Sequence, residues 1–350
     1  MTPLDKEPLF GKTLTQLETV VATVGLPRYA AKQLAGWLYQ HDATTFDEMT
    51  NLAREARQRL EERFCIGISP PVGHQTSTDD TRKYIFQTRH GLIETVCIPE
   101  QERRTLCISS QVGCRMGCAF CMTGKQGFQG QLTTGEILNQ IRSVPERREL
   151  TNIVYMGMGE PFDNLEAVLD SVAILTSHYG FVIPPRRVTV STAGVAAGVR
   201  TYLECCGSPL AVSLHSPFED ERRALMPIEN ASPLREIIAI IRQTPISSQR
   251  RIFFEYIVFK GINHSQRHVD ELARLLNGMR CRINLLRFHK VPGIPLESPD
   301  DDTMIAFRDA LEAKGFVSTI RRSRGQDIAA ACGLLSSQAR RPVGWAKTSG

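Results

Sequence analysis

From about residue 104 the chain alternates short apolar runs with amphipathic segments of helical length. The runs are "TLCIS", "NIVYMGMG", "RVTVST", "LAVSLHS", "FFEYIVF", "INLLRFH" and, more weakly, "VSTIRR"; between them stand "TGEILNQIRSV", "LEAVLDSVAILTSHYG", "LREIIAIIRQ", "RHVDELARLLNG" and "DTMIAFRDALEAKG". Short apolar runs suit strands buried on both faces, and 3.6-residue stripes suit helices packed by one face. Alternation sustained over six or more units predicts an α/β fold whose parallel strands, joined by crossover helices, form a barrel or partial barrel of (βα)6 type. Helix starts are marked by Thr133 three residues before Glu136, a capping box, and by Ser232 before Pro233, an N-cap with proline at the first helical position.

The first 90 residues follow a different pattern. In "YAAKQLAGWLYQHDATTFDEMTNLAREARQRLEERF" the positions Leu34, Trp37, Leu38, Met49, Leu52 and Leu60 recur at roughly helical spacing, which predicts two or three short amphipathic helices. "TRKYIFQTRHGLIETVCIP" then alternates apolar and polar residues around "RHG", as a hairpin does. The expected organisation is a small helical accessory domain with a β-hairpin extension over 1–90, a barrel core over 91–335 and a tail over 336–350.

Barrel folds bind ligands at the C-terminal ends of their strands. The chemistry-bearing segments of this chain fall there: a three-cysteine loop after the first run, "GMGEP" after the second, "STAG" after the third, "SLHS" after the fourth and "RFHKVPG" after the sixth. Neither a membrane span nor a signal peptide is readable, so a cytoplasmic protein is expected. A reducing compartment turns the ten cysteines away from a disulfide framework and toward metal or redox chemistry. Cys65, Cys97, Cys205, Cys206 and Cys281 stand in apolar or helical stretches and are expected to be small core residues. The net charge of +5 and the arginine pairs in "ERRTL", "PERREL", "SSQRRIFF", "TIRRSRG" and "QARRPVG" permit contact with a phosphate backbone without requiring it.

In "QVGCRMGCAFC", Cys114, Cys118 and Cys121 have C-x3-C-x2-C spacing. Structural zinc needs a fourth ligand at matching spacing, and the next histidine downstream is His178. A [4Fe–4S] cluster held by three cysteines leaves one iron open to an exogenous ligand, as catalysis requires and an electron carrier does not. The cluster is the favoured reading. A zinc-stabilised, nonenzymatic RNA-binding protein stays open as the alternative from another class.

The segments "CISSQVGCRMGCAFCMTG", "MGMGEP", "STAGV", "SLHS" and "RGQDIAAACGLL", in this order, resemble the RlmN/Cfr family of radical SAM RNA adenine methyltransferases, over roughly residues 28–335. The resemblance implies that Cys114, Cys118 and Cys121 ligate a [4Fe–4S] cluster. S-adenosylmethionine would be bound by Gly159 and Glu160 of "GMGEP", by Ser191, and by Ser213, Leu214 and His215. It implies that Cys332 becomes S-methylcysteine, that its methyl carbon is activated by a 5′-deoxyadenosyl radical and joined to an adenine ring carbon, and that Cys107 frees the product by forming a transient disulfide with Cys332. Glu94, a charge in an otherwise apolar strand, matches the proton acceptor; from the residues alone it reads equally as an edge-strand glutamate facing water. Large-subunit ribosomal RNA, and transfer RNA as a second substrate, are the implied partners, with an external electron donor such as flavodoxin or ferredoxin. C2 is the favoured target, with C8 or another RNA as the alternative. One departure stands out: the family often reads "NLIPWNP" where this chain has "NLLRFHK", so His289 replaces a cofactor-contacting asparagine, and a protonatable ring would make binding sensitive to pH.

Overall fold

In the computed structural model, which describes residues 6–245, 247, 250–291 and 293–336, the N-terminal apolar stripe folds as three short helices. A strand β1 (Glu7–Pro8) leads into α1 (Leu14–Thr23), α2 (Ala30–Tyr39) and α3 (Arg54–Arg63), and β2 (Phe64–Cys65) returns to pair with β1 in parallel. Helices of ten residues are too short to stand alone in water. They are held because Leu17, Val20, Leu34, Leu38 and Leu60 share one apolar cluster, each such side chain contributing roughly 1.5–3 kcal/mol on burial. Met49 and Leu52 are also buried but lie in the turns between α2 and α3, and Trp37 is half-buried, its Nε1 donating to Asn51 Oδ1 at 2.6 Å. The unit packs onto the remainder through Tyr39, whose ring lies 5.9 Å from that of Phe181.

Next come β3 (Gly73–Thr76), β4 (Arg82–Thr88), β5 (Gly91–Glu100) and β6 (Arg103–Cys107), an antiparallel series. A small antiparallel pair, β7 (Gln111–Gly113) and β8 (Phe128–Gln131), brackets α4 (Met122–Lys125). From there strands and helices alternate: α5 (Thr134–Arg142), β9 (Asn152–Tyr155), α6 (Leu165–Thr176), β10 (Val188–Thr192), α7 (Ala196–Cys205), β11 (Leu210–Ser213), α8 (Glu219–Leu225), α9 (Leu234–Gln243), β12 (Ile252–Val258), α10 (Gln266–Leu276), β13 (Cys281–Arg287), α11 (Asp301–Ala313) and β14 (Val317–Ile320). All seven predicted runs are strands, and the predicted hairpin is β4 and β5. One ten-stranded sheet results, in the order β14-β13-β12-β11-β10-β9-β6-β5-β4-β3, parallel from β6 to β14. The hairpin is therefore continuous with the core sheet.

Chain length shows that this sheet is curved. Laid flat, ten strands would hold their outer edges about 43 Å apart at about 4.8 Å per step. Yet Gly325, five residues beyond the end of β14 and so within about 18 Å of it, donates its N–H to Asp79 in the β3–β4 turn at 3.0 Å. The two edges curl toward each other as in an open barrel, and the C-terminal segment bridges them.

Two helix starts contrast. Thr133 caps α5 as predicted, with Glu136 Oε2 accepting its N–H at 2.8 Å. Ser232 does not cap α9: its Oγ accepts the Ala196 N–H at 3.1 Å, Pro233 takes the cap position, and the buried Glu229 carboxylate receives the Leu234 N–H. The expectation of core cysteines holds for Cys97; Cys65, Cys206 and Cys281 are half-buried, and Cys205, the last residue of α7, is exposed.

Candidate active site at the C-terminal rim of the sheet

Cys114, Cys118 and Cys121 occupy the loop between β7 and α4. Its path is fixed by backbone bonds: Cys114 N–H to Gly127 O at 3.1 Å, Ala119 N–H to Leu225 O at 2.9 Å and Lys125 N–H to Cys121 O at 3.1 Å. Phe120, Leu225, Met226 and Ile257 line it with apolar surface. Burial pushes the Cys114 thiol up to about 12; burial and then the neighbouring thiols push Cys118 well above the ordinary range, with the Arg222 charge pulling the other way. Thiols in such a place give up their protons only in exchange for a metal. Three soft sulfur donors brought near one another in an apolar loop fit an iron–sulfur cluster, which Cys114, Cys118 and Cys121 would hold.

The segment after β9 supplies Gly159 and Glu160. Gly159 has φ +98°, and a Cβ there would stand 2.5 Å from Gln111 Cβ, so only glycine fits. Glu160 is fully buried, and its carboxylate accepts Thr192 Oγ1–H at 2.6 Å, Ala193 N–H at 2.7 Å and Phe162 N–H at 3.0 Å. Burial pushes its carboxyl up to about 7 against those three donors. A carboxylate so held ties the ends of β9 and β10 together and suits an ammonium partner. Ser191 and Ser213 are half-buried at the ends of β10 and β11, Leu214 is buried, and the Leu214 N–H donates to Glu255 O at 2.9 Å.

His215 stands at φ +56°, an unusual backbone for a residue with a side chain. Asn263, which the sequence reading missed, holds it there: Asn263 Nδ2 donates to His215 O at 2.6 Å and to Ile257 O at 2.8 Å. His215 Nδ1 accepts the Ile257 N–H at 3.0 Å, so the ring proton resides on Nε2. Burial, followed by the Arg222 charge, drives its pKa down to about 3. His289 is also pushed down, by burial and then by the Arg287 charge.

Arg222 is a second residue that sequence reading passed over. It is fully buried, pairs with Glu229, and donates from Nη2 to Ala193 O at 2.7 Å and Ser213 O at 3.0 Å and from Nε to Leu214 O at 3.2 Å. One guanidinium thus fixes the carbonyls that end β10 and β11. Its only sequence signal was an arginine in "EDERRAL", which resembles any solvated helix face.

The antiparallel wall carries the remaining residues. In the register Lys83 opposes Val96, Glu94 opposes Ile85 and Val96 opposes Cys107, which puts Lys83, Glu94 and Cys107 on one face. Glu94 is not at a wet edge: its side chain is 4% exposed and its Oε1 lies 3.0 Å from Lys83 Nζ. Cys332 is in the bridging segment. It retains accessible surface while lying within a dense shell of protein, as a residue on the inner wall of a barrel does, and burial and then the Glu255 charge raise its pKa. Around it Met122 N–H donates to Gly333 O at 2.8 Å, Thr123 Oγ1–H to Leu335 O at 2.8 Å and Ser336 N–H to Glu94 Oε2 at 2.9 Å. Cys107 and Cys332 are within electrostatic reach of each other, and both are free thiols, so no disulfide joins them. The segment strung between the cysteine loop and Glu94 therefore gathers Cys332, Cys107, Glu94 and Cys121 at one mouth. A surface cavity of about 390 Å³ lined by Tyr39, Asp42, Arg147 and Arg187 lies at the opposite ends of the strands and takes no part in it. The arginine pairs do not form one face: Arg147 pairs with Asp42, Arg250 is buried on the carbonyls of Leu203 and Tyr202, and "QARRPVG" lies outside the described residues.

A partial parallel barrel with a three-cysteine loop at its C-terminal rim is the architecture of a radical SAM enzyme, and residues 108–276 match the model of the radical SAM superfamily. Residues 8–66 match that of the ribosomal RNA large subunit methyltransferase N-terminal domain. The chain is 53% identical over 335 residues to a probable dual-specificity RNA methyltransferase RlmN of Parabacteroides distasonis, covering 95% of this chain and 98% of that one. It is 40% identical to the dual-specificity RNA methyltransferase RlmN of Syntrophus aciditrophicus, over 93% of this chain and 95% of the other. The crystal structure of a radical SAM methyltransferase from Sphaerobacter thermophilus superposes with a TM-score of 0.87 at 39% identity, over 95% of this chain and 100% of that one. The chain belongs to the RlmN family of radical SAM RNA methyltransferases. This finding removes the nonenzymatic alternative. No helix among the described residues is long and apolar enough to cross a membrane.

Proposed function

We propose that this protein methylates an adenine ring carbon, C2 in preference to C8, in large-subunit ribosomal RNA and also in transfer RNA. The observation that carries the reading is the gathering of Cys332 and Cys107 beside Glu94 and the cysteine loop. An ordinary displacement at carbon needs neither two extra thiols nor a buried carboxylate. When bound through Cys114, Cys118 and Cys121, a [4Fe–4S] cluster with S-adenosylmethionine supplies the methyl group and the 5′-deoxyadenosyl radical. Gly159, Glu160, Ser191, Ser213, Leu214, His215 and His289 would form the cofactor's bed, where the Glu160 carboxylate would suit an ammonium and the Nε2–H of His215 would serve as a donor.

The chain's own groups then act in order. The Cys332 sulfur takes the methyl group and presents it to the ring carbon, Glu94 accepts the ring proton, and Cys107 attacks the Cys332 sulfur. That attack forms a disulfide as the sulfur–carbon bond breaks; the carbon leaves with the bonding pair and takes up a proton to become the ring's methyl group, and an external two-electron reductant restores both thiols. The electron donor is of flavodoxin or ferredoxin type. The helical unit within residues 1–90 grips folded RNA, and the target base leaves its stack to reach the barrel mouth. The relatives' names and the matched N-terminal domain support an RNA substrate.

The test uses anaerobically reconstituted protein, unmethylated large-subunit RNA and methyl-labelled cofactor, read by nucleoside mass spectrometry with Cys332→Ala alongside. Labelled 2-methyladenosine from the wild type and none from the variant is the expected result. 8-Methyladenosine overturns the position, and cofactor cleavage without labelled RNA overturns the substrate.

A further inference from the structure

Lys83 is assigned no role by the sequence reading, yet it is one of the least accessible lysines of the chain. Its side chain is 7% exposed, and its ammonium lies 3.0 Å from Glu94 Oε1 inside the sheet's inner face. Lysine at such depth is rare unless it is paired. A buried ion pair is poor value as a stabiliser, because desolvating two charges offsets most of their attraction. Apolar residues at both positions would pack the wall as well or better, so a reason other than stability is wanted.

The surroundings supply one. The two oxygens of Glu94 have separate partners: Oε1 meets Lys83 and Oε2 accepts the Ser336 N–H at 2.9 Å, four residues beyond Cys332. The backbone is fixed as well, with Glu94 O accepting Ser109 Oγ–H at 2.6 Å. The charged group against the Glu94 carboxylate is Lys83 from β4; Cys107 from β6 shares its face of the sheet, and Cys332 stands four residues before Ser336 in the bridging segment. We propose that Lys83 is the positioning residue for Glu94: its ammonium aims the carboxylate into the barrel mouth and keeps it charged in a wall that would otherwise hold it as the neutral acid. The inference rests on Glu94 being the proton acceptor of the proposed reaction. In that step a ring C–H proton passes to a Glu94 oxygen while the bonding pair stays in the ring, and the resulting neutral acid faces an ammonium that can stay charged. Burial raises the Glu94 pKa and Lys83 is the first of the influences opposing it, which agrees with this arrangement.

The experiment compares holoenzyme of wild type, Lys83→Met and Lys83→Arg on unmethylated large-subunit RNA from pH 6.5 to 9. Three quantities are followed: S-methylation of Cys332 by intact mass, the covalent enzyme–RNA species by denaturing gel, and released methyladenosine. In Lys83→Met, Cys332 methylation stays within about twofold of wild type and the covalent species accumulates at neutral pH. Its release rate falls at least tenfold there, a pKa displacement of one unit or more, and recovers toward pH 9. Lys83→Arg retains release within about threefold. A wild-type pH profile in Lys83→Met overturns the inference, as does equal, pH-independent impairment of both variants, which marks a merely structural lysine. If Lys83→Met is insoluble, Lys83→Gln, which lacks the charge but keeps a donor, is read by the same criteria. A wild-type enzyme that forms neither the covalent species nor methyladenosine fails the proposed function itself; a competent wild type with an unaltered Lys83→Met fails only this inference.

Discussion

Replacing Arg222 by methionine tests how the cofactor rim is built. The side chain has no solvent exposure, pairs with Glu229 and serves three strand-end carbonyls, of Ala193, Ser213 and Leu214. Methionine fills a similar volume, so the loss is electrostatic rather than a cavity. Removing one partner of a buried pair costs about 3–5 kcal/mol, because the other charge remains buried. The carbonyls add about 1–3 kcal/mol each if left bare, but the contributions share one group and do not sum, so about 3–5 kcal/mol is expected in all. That is a large part of the roughly 5–15 kcal/mol that holds a folded protein. Equilibrium urea unfolding by circular dichroism should show a lower midpoint at unchanged slope. Glu229→Leu should also destabilise, since it leaves Arg222 without its partner and deprives the Leu234 N–H of its carboxylate acceptor. The double variant should recover at least about 1.5 kcal/mol relative to the sum of the singles. A cost below about 1 kcal/mol for Arg222→Met, or strict additivity, would refute the claim that this pair anchors the rim.

Two further outcomes concern pH. The folded pKa of His215, lowered from 6.5 to about 3 by burial, means that its contribution to stability is complete above pH 6.5 and is lost as pH falls through that window toward 3. Nitrogen-15 imidazole shifts should show a neutral ring with the proton on Nε2 at pH 4.5, and a charged ring there counts against the geometry. At Asp79 burial alone would raise the pKa, but hydrogen bonds from Thr81, Gly325 and Ser77 outweigh it and hold it at about 2, so this clasp is present above about 3.8 and is lost between about 3.8 and 2. Asp79→Asn should speed proteolytic cleavage within residues 321–336 about fivefold at neutral pH, for a loss of about 1 kcal/mol, without loss of helix content. Equal cleavage rates would mean that the Asp79 carboxylate does not hold the segment, leaving the turn's hold to the Asp327 bonds with Ser77 and Thr78.

The alternation of runs was enough to place every parallel strand, because strands buried on both faces must be apolar throughout. Helix α7 was missed for a physical reason. Gly198 interrupts its pattern and reads as a breaker, yet a Cβ there would stand 2.4 Å from Phe162 Cβ, so the glycine is what lets the helix sit against Phe162. Ser232 misled in the opposite direction, since N-cap chemistry is local but its hydroxyl was claimed by Ala196 from another helix. At the site, the cysteines, "GMGEP" and "SLHS" were legible as motifs because their spacing is local. Arg222, Asn263 and Lys83 were not, because each acts on atoms that only the tertiary fold brings near. Lys83 in "RKYIFQT" has the appearance of a solvated charge until β5 places Glu94 over it.

The three antiparallel strands β3 to β5 explain how one barrel can serve two kinds of chemistry. The parallel strands provide the rim on which Glu160, Arg222 and His215 are fixed by bonds between neighbouring strand ends. That arrangement suits a cofactor, but a parallel rim alone leaves both sheet edges open and offers no strand on which the C-terminal segment could be held. The added strands close part of that gap with a wall bearing Lys83 and Glu94, and they latch the C-terminal segment at both ends: Asp79 to Gly325 together with Asp327 to Ser77 and Thr78 at the β3–β4 turn, and Glu94 to Ser336. Cys332 sits between the latches and is held to the cysteine loop through the Met122 and Thr123 bonds. Of the two, the Glu94 latch depends on charge: a carboxylate that gains a proton accepts the Ser336 N–H less strongly. Proton uptake at Glu94 would therefore loosen the hold on the segment that carries Cys332, so the antiparallel wall couples the protonation of Glu94 to the seating of that segment.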